Sequence, residues 1–542
     1  MKGSPVLAKL PLLVDAHTHL FNARYLPLKG ILESWHFGSL PSALIAKLVY
    51  TLTRRSKLKS KDQYIDVSDA NKPLEKLVSE ITDITIEALL IDVDLPETSL
   101  TVEQIEEIQD IIINDEVHSI LLEINQEYGN PASTQELSFD YLMQKQSKQQ
   151  LMSEPFESNL ISLFGKVKAM LKKFLLSVLS KIEHGLDYVD FILNMMKSEK
   201  SLLKRLRGFY TKQTEMSLMV HYMMDMEHPF KNKPPYHFYK HQIPRMTSLE
   251  RYGKGTAVGF AAFDISRFSK MEFERSQLKD VIENHLSYML QQGKIGFKFY
   301  PPMGYRASDN TDIIDEYCAD VFFDYCVDNQ VPVFTHCTPV GFEAGPNMGL
   351  NADPIYWRKA LTKTPKRNDL ILCLGHAGGG IRRTGGITSY GWLAANQNQW
   401  DSPSNYAKKV VDLCREFKNV YCDLSYMHEI TDDDKLREVL KSRLITELTS
   451  QSESQPYLLA EKIMYGSDWH MVSMVNDLTR YFQNIRWIFQ DEKLKPFTNK
   501  FFAKNALKYM QFATFTERAK EQLNESCYNR YMEILVRADS LA

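Results

Sequence analysis

Hydrophobic positions change their spacing along this chain. After a short apolar run at 12–15, residues 25–214 are rich in Lys, Glu, Gln and Leu and contain few glycines. Within this segment, residues 160–182 repeat apolar positions at i, i+3, i+4 and i+7, the spacing of an amphipathic helix, and 101–124 also read as helical. From Met216 onward, short apolar runs alternate with helical stretches. The pattern predicts a helical insertion within an α/β chain.

The apolar runs number eight when the first is included. They are 12–15, 217–225, 256–264, 294–300, 331–336, 370–376, 420–425 and 462–468. Almost wholly apolar strands alternating with helices are typical of a parallel sheet covered by helices. Eight units predict a (β/α)8 TIM barrel with a large helical insertion after strand one. No Gly-x-Gly-x-x-Gly or Walker loop follows any run, which weakens the alternative of an open doubly wound sheet.

These elements divide the chain into three parts. We expect the barrel to comprise 1–24 and 215–515, the insertion to comprise 25–214, and a C-terminal helical extension to comprise 516–542. The insertion carries no catalytic signature. Because the insertion begins directly after the first strand, we expect it to act as a lid over the substrate or as a surface for a partner.

Composition narrows the class of protein. The 542 residues carry a formal net charge of -3, with 44% hydrophobic and 25% charged residues, so nothing favours nucleic-acid binding. No apolar run reaches the roughly 18 residues of a membrane-spanning helix. The 7 cysteines are odd in number and include no Cys-x-x-Cys pair, which indicates reduced thiols and predicts a cytoplasmic protein. A homo-oligomer is compatible with the sequence.

Polar residues gather where the predicted strands end, and in such barrels the chemistry lies at the carboxyl ends of the strands. His17 and His19 follow the first run two residues apart, so both imidazoles point to one side of an extended strand. Later runs carry Lys298, His336, His376 and Asp468. Each of these residues alone is more often a buried, hydrogen-bonded polar group. Their joint placement predicts a metal site.

Imidazole and carboxylate ligands define the chemistry of such a site. Three neutral imidazoles and one carboxylate suit a divalent ion, Zn²⁺ first and then Mn²⁺ or Fe²⁺, and leave a position for water. The ion lowers the pKa of bound water toward about 7. Asp468 would serve as general base, and His376 could polarise a substrate carbonyl or transfer a proton. This chemistry predicts a metal-dependent hydrolase that cleaves a C–N or C–O bond of a small, anionic substrate.

Several stretches together resemble the amidohydrolase superfamily, especially its amidohydrolase-2 branch. They are VDAHTHLF, GFKFYPPMGYR, VFTHC, LGHAGG, YGSDWH and the late Asn505-Ala506. The resemblance implies a metal held by His17, His19, His336 and Asp468. It implies hydrolysis or, in some relatives, decarboxylation, so a nonoxidative decarboxylase is the alternative function. A non-catalytic barrel with a structural metal, acting as a binding module, is the second alternative.

The number of metal ions is a further open point. Members of the superfamily with two metals use a carboxylated lysine as a bridge, and Lys298 with His376 could supply a second site. The closer resemblance to the amidohydrolase-2 branch favours one ion over two. In that case the Lys298 ammonium could instead bind a substrate anion.

Two further groups of charged residues lie near predicted strand ends. Arginines in the loops after the fourth and sixth strands could hold a substrate carboxylate or phosphate. These are Arg306, Arg382 and Arg383. Carboxylates at strand ends could accept the second N–H of the ligating histidines. These are Asp225, Asp264 and Asp423. His470 could also line the site.

Overall fold

A computed structural model describes most of the chain outside the insertion. The described residues are 8–34, 43, 45–50, 120, 194–230, 238–450, 455–469, 471 and 478–541. Compact units are formed by Met1–Leu20 with Leu203–Ala542, and by Phe21–Leu202. This division assigns residues 203–214 to the unit that contains the barrel, whereas the sequence places them in the insertion. The predicted helices at 101–124 and 160–182 lie outside the described residues, apart from Ile120.

The barrel strands confirm the eight predicted runs. In chain order they are β1 Leu13–Thr18, β2 Ser217–Tyr222, β3 Ala257–Phe263, β4 Phe297–Phe299, β5 Val333–His336, β6 Leu372–Gly375, β9 Val420–Leu424 and β10 Ile463–Tyr465. Each strand pairs in parallel with its neighbours in this order. The first and last strands meet beyond β10, where Thr18 pairs with Trp469 and the Asp468 amide donates to the His17 carbonyl at 2.8 Å. The predicted (β/α)8 TIM barrel is confirmed.

Helices connect and flank the strands. Those of the described residues include Leu28–Ser34, Glu199–Gln213, Tyr239–Tyr252, Arg275–Gln291, Ile313–Asp328, Pro354–Thr362, Gln397–Trp400, Tyr406–Glu416, Asp434–Thr449, Leu478–Ile488, Asn505–Tyr509, Phe512–Arg518 and Glu525–Asp539. Local signals set several helix starts. Asp312 and Asp433 each accept two backbone N–H groups of the first turn that follows. None of the described helices combines the length and apolar character needed to cross a membrane.

One small sheet lies outside the barrel. Strands β7 Arg382–Thr384 and β8 Ile387–Ser389 form an antiparallel hairpin after β6. Gly385 and Gly386 join them, both at positive φ, as a tight two-residue turn requires. The hairpin therefore places Arg382 and Arg383 beside the carboxyl end of β6.

The C-terminal segment contributes to the main hydrophobic core. Phe512, Phe515, Tyr531 and Ile534 pack in one cluster with strand residues of the barrel interior. The Tyr531 hydroxyl donates to the Ala257 carbonyl, 2.8 Å away at the start of β3. This segment therefore covers the end of the barrel at which the strands begin, and the opposite end carries the polar residues.

Candidate metal centre

Two histidines and one aspartate meet where β1 approaches the loop after β10. His17 Nε2 lies 3.4 Å from an Asp468 carboxylate oxygen, and His19 Nε2 lies 3.2 Å from the same oxygen. One potential ligand atom from each side chain lies within 4.8 Å of the other two. The three residues are at most 6% exposed. Asp468 has a φ of 56°, an unusual conformation for a residue other than glycine, and it turns this carboxylate toward β1.

Hydrogen bonds determine which nitrogen of each ligand histidine carries a proton. His17 Nδ1 lies 3.3 Å from an Asp423 carboxylate oxygen, which can only accept, so Nδ1 is the donor. His19 Nδ1 lies 3.3 Å from the Tyr222 carbonyl and is a donor for the same reason. Both Nε2 atoms therefore present lone pairs toward the Asp468 carboxylate. His17 Nε2 is also buried without a hydrogen-bond partner.

The atoms that converge here match the requirements of a divalent cation. Three acceptor atoms in a buried space repel one another unless a cation or a proton lies between them. Neutral imidazole nitrogens and carboxylate oxygens are ligands that Zn²⁺, Mn²⁺ and Fe²⁺ accept. The residues present thus fit the metal that the sequence predicts, and His17, His19 and Asp468 would hold it.

His336 and His376 form a second pair beside this trio. His336 Nε2 donates to the Val340 carbonyl at 2.5 Å, so His336 Nδ1 accepts from His376 Nε2 at 3.0 Å. Burial lowers the pKa of His336 to about 3 and that of His376 well below its usual value, so both rings are neutral. His336 would have to release its Nδ1 from His376 to become the fourth ligand. That role stays a prediction.

Ser425 joins the two histidine groups. Its hydroxyl lies 3.0 Å from His17 Nδ1 and 2.9 Å from His376 Nδ1. Because His376 uses Nε2 as a donor, its Nδ1 accepts the Ser425 proton, and the serine oxygen accepts from His17. Sequence reasoning missed this residue, although Ser425 ends the seventh predicted run.

Asp15 is a second residue that sequence reasoning missed. One carboxylate oxygen accepts from the amides of Ser467 at 2.9 Å and His17 at 3.2 Å. The other accepts from the hydroxyls of Tyr210 at 2.5 Å and Ser467 at 2.6 Å. Asp15 thus holds β1 against the residue that precedes Asp468. Its position directly before the histidine pair was an available signal, whereas Tyr210 had none.

Lys298 is buried near the trio and is surrounded by aromatic rings. Its ammonium lies 5.3 Å from the ring centre of Tyr222, 5.2 Å from that of Tyr300 and 5.4 Å from that of Phe334. Burial lowers its pKa to about 8, and the charges of Asp468 and Asp423 oppose this shift. The described residues provide cation–π contacts but no ion pair within bonding distance. A partly neutral amine is compatible with either substrate binding or carboxylation.

The predicted arginines already have partners in two of three cases. Arg306 Nε donates to Asn351 at 2.9 Å, and its guanidinium lies 4.5 Å from the ring centre of Tyr356. Arg382 forms an ion pair with Glu429. Arg383 is exposed on β7. Substrate binding by any of the three stays a prediction.

The predicted carboxylates separate into two groups. Asp423 contacts His17 as expected. Asp225 instead forms a bidentate pair with Arg267, at 2.7 and 3.0 Å, and Asp264 accepts from the Ser266 amide at 3.1 Å. Both follow the last residue of their strands, where strand alternation no longer sets the side-chain direction. Neither carboxylate pairs with a histidine of the trio in the described contacts, so their assignment as partners of the ligating histidines is corrected. His470 lies outside the described residues.

Comparison with known proteins gives distant structural similarities. No protein-family model and no curated protein matches the chain. An amidohydrolase from Burkholderia multivorans with bound zinc aligns over 57% of this chain and 87% of its own, at 10% identity and a TM-score of 0.34. The 2,6-dihydroxybenzoate decarboxylase from Rhizobium covers 57% and 88%, at 12% identity and a TM-score of 0.34.

A third solved structure holds a different metal. The 5-carboxyvanillate decarboxylase from Novosphingobium aromaticivorans, with bound manganese, covers 63% of this chain and 88% of its own, at 11% identity and a TM-score of 0.36. Of these three solved structures, one is an amidohydrolase and two are decarboxylases. At such identities and TM-scores, the family prediction rests on the motifs of this chain and on the site that they build.

Proposed function

We propose that the protein is a metal-dependent enzyme of the amidohydrolase superfamily that hydrolyses a C–N or C–O bond of a small, anionic substrate. The observation that carries this proposal is the convergence of His17 Nε2, His19 Nε2 and an Asp468 oxygen as buried acceptor atoms. We propose one divalent ion there, with zinc favoured and His336 as a further ligand. When bound, such an ion supplies Lewis acidity and lowers the pKa of a water molecule.

The residues around the trio have separable roles in this proposal. Burial raises the pKa of Asp468 to about 6, which suits a general base that takes a proton near neutral pH. Neutral His376 can donate its Nε2–H as a hydrogen bond that polarises a substrate carbonyl and stabilises a developing oxyanion. The Lys298 ammonium, which lies over the rings of Tyr222, Tyr300 and Phe334, binds the substrate anion and orients it. Ser425 and Asp423 hold His17 in the tautomer that presents Nε2.

Nonoxidative decarboxylation remains the alternative reaction of the same site. The buried Lys298 ammonium is compatible with both reactions, because each can place a substrate carboxylate beside the metal. The second alternative is a binding module with a structural metal. For the segment 25–214 we retain the proposal of a lid or partner surface. The 7 buried, free cysteines support a reducing, cytosol-like compartment.

Metal content tests the site. We expect about one equivalent of zinc per chain and its loss in the His17→Ala/His19→Ala variant, because two of the nearest ligands are removed. His241→Ala, in the helix Tyr239–Tyr252 and outside the trio, serves as the control and should retain the metal. Full activity without metal in the double variant would exclude the proposed function. If two ions per chain were found and both were lost in Lys298→Ala, the proposal of one ion would be replaced by that of two ions bridged by the lysine.

Product analysis separates the reactions. The metal-loaded protein is incubated in ¹⁸O-labelled water with a panel of lactones, amides and aromatic carboxylates. Hydrolysis incorporates ¹⁸O into the organic product, whereas decarboxylation releases CO₂ and leaves the organic product without ¹⁸O. Tight metal binding without turnover of any class, together with capture of a partner by 25–214, would instead favour the binding module.

A further inference from the structure

Tyr210 connects a helix outside the barrel to the two chain segments that carry the metal ligands. It lies near the end of helix Glu199–Gln213, and both Tyr210 and Asp15 are fully buried. The Tyr210 hydroxyl donates to Asp15 at 2.5 Å. It also lies 3.3 Å from the Tyr465 hydroxyl, on the last residue of β10. The tyrosine therefore contacts both strands next to the proposed metal.

Asp15 links Tyr210 to the proposed ligands through further hydrogen bonds. Four donors surround its carboxylate: the hydroxyls of Tyr210 and Ser467, and the amides of Ser467 and His17. Hydrogen bonds to an ionised carboxylate in a buried site are short and strong. The His17 amide belongs to one ligand, and Ser467 directly precedes another, Asp468. A displaced Asp15 would therefore move both ligands.

We propose that Tyr210 is a positioning residue of the metal centre, which sets metal affinity by holding the Asp15 carboxylate between His17 and Ser467. This inference rests on the proposed function, because it presupposes an ion at the trio. Tyr210 precedes β2 and follows the inserted segment in the chain. Through Tyr210, the segment in which the chain returns to the barrel is part of the hydrogen-bond network that positions the proposed ligands.

A tyrosine elsewhere in the barrel unit provides a matched control. Tyr531 is also buried, and its hydroxyl donates one hydrogen bond of 2.8 Å, to the Ala257 carbonyl. It lies in the segment that covers the start of the strands and has no described contact with Asp15, His17 or Ser467. Tyr210→Phe and Tyr531→Phe each remove one buried hydroxyl and keep the ring. They therefore share any general loss of stability but differ in their link to the ligands.

The experiment uses the full-length protein with two readouts. Co²⁺ affinity is measured by competition with a chelator, and the Co²⁺ absorption spectrum reports the geometry of the ligands. Tyr210→Phe should weaken Co²⁺ binding by about 10-fold or more, the usual effect of removing an outer partner of a ligand. In the metal-free protein, the amides of His17 and Ser467 should exchange with deuterium faster than in the wild type. Tyr531→Phe should change neither readout.

A double variant tests whether the effect passes through Asp15. Tyr210 and Ser467 donate to the same carboxylate oxygen, so the affinity losses of Tyr210→Phe and Ser467→Ala should be clearly non-additive in the combined variant. Equal losses in Tyr210→Phe and Tyr531→Phe, or unchanged Co²⁺ affinity and exchange in Tyr210→Phe, would overturn the inference and leave the proposed function standing. Failure of the wild-type protein to bind Co²⁺ would overturn both.

Discussion

Two buried lysines of the barrel show how strongly a neighbour changes the role of a charge. Lys294 is fully buried, and its ammonium donates to Glu250 at 2.6 Å. The same Glu250 oxygen lies 2.9 Å from His221 Nε2. Lys298, four residues later in the chain, is 2% exposed and has three aromatic rings around it instead. The first lysine belongs to a structural ion pair, and the second is the one for which we propose contact with a substrate anion.

This difference predicts losses of stability of different size for the same substitution at the two lysines. Lys294→Met should lower the free energy of unfolding by about 3–5 kcal/mol, because Glu250 is left with a buried charge and a single histidine partner. Lys298→Met should cost less than about 1.5 kcal/mol, because a linear apolar side chain replaces an ammonium without an ion pair. Urea unfolding measures both. If Lys298 binds the substrate anion, Lys298→Met should also raise the KM for the anionic substrate. A stability loss in Lys298→Met equal to that in Lys294→Met would contradict this assignment.

Single residues of the site were predictable only in part. His17, His19 and Asp468 could be identified because they follow apolar runs and share one end of the barrel. The trio, however, is completed by contacts that sequence spacing does not encode. His17 and Asp423 are 406 residues apart in the chain, and Asp15 and Ser467 are 452 apart. The pairing of His336 with His376 depends on the Val340 carbonyl, whose direction is set by the loop after β5.

At the scale of elements, the strands were the easiest feature to predict. A parallel strand covered by helices is buried on both faces, so it appears as an unbroken apolar run. The hairpin β7–β8 was missed because Arg382, Arg383 and Thr384 are polar and form no such run. Its signal was the Gly385-Gly386 pair, a common two-residue hairpin turn. The C-terminal extension was predicted as helical, but its packing against the barrel core was not.

The C-terminal helix Glu525–Asp539 offers a test of that packing. Ile534 is fully buried in the cluster shared with the barrel interior, whereas Val536 on the same helix is 67% exposed. Ile534→Ala should destabilise the protein by about 2–5 kcal/mol through lost burial and a cavity. Val536→Ala should change the free energy of unfolding by no more than about 0.5 kcal/mol. Chemical denaturation of both variants provides the measurement, and equal values would show that this helix is not part of the core.

At the scale of the whole molecule, acid sensitivity has a source away from the metal centre. His285 lies in helix Arg275–Gln291, with its ring 5.2 Å from that of Phe268. Burial, and then the charge of Arg267, lowers the pKa of His285 to about 4. Since the unfolded chain has a histidine pKa near 6.5, the unfolded state binds more protons between these values. This contribution to stability is present above about pH 6.5 and is lost as the pH falls toward 4.

The corresponding variant should flatten this dependence. His285→Gln cannot take up a proton, so its free energy of unfolding should fall less than that of the wild type between about pH 6.5 and 4. The difference is on the order of 3 kcal/mol for a complete shift of this size. Parallel pH profiles for the wild type and His285→Gln would exclude His285 as the source.

The sequence by itself determined the barrel strands, the polar character of their carboxyl ends and the residue types of a metal site. These features depend on local periodicity and on the rule that parallel strands end at one face, so neighbouring residues suffice to predict them. Only the tertiary structure decided which atoms meet. It directs the lone pairs of His17 and His19 toward Asp468, joins His17 to His376 through Ser425 and brings Tyr210 to Asp15. The physical reason is that hydrogen-bond partners hundreds of residues apart select each tautomer and side-chain direction. Only the folding of the chain into a closed barrel brings these partners together.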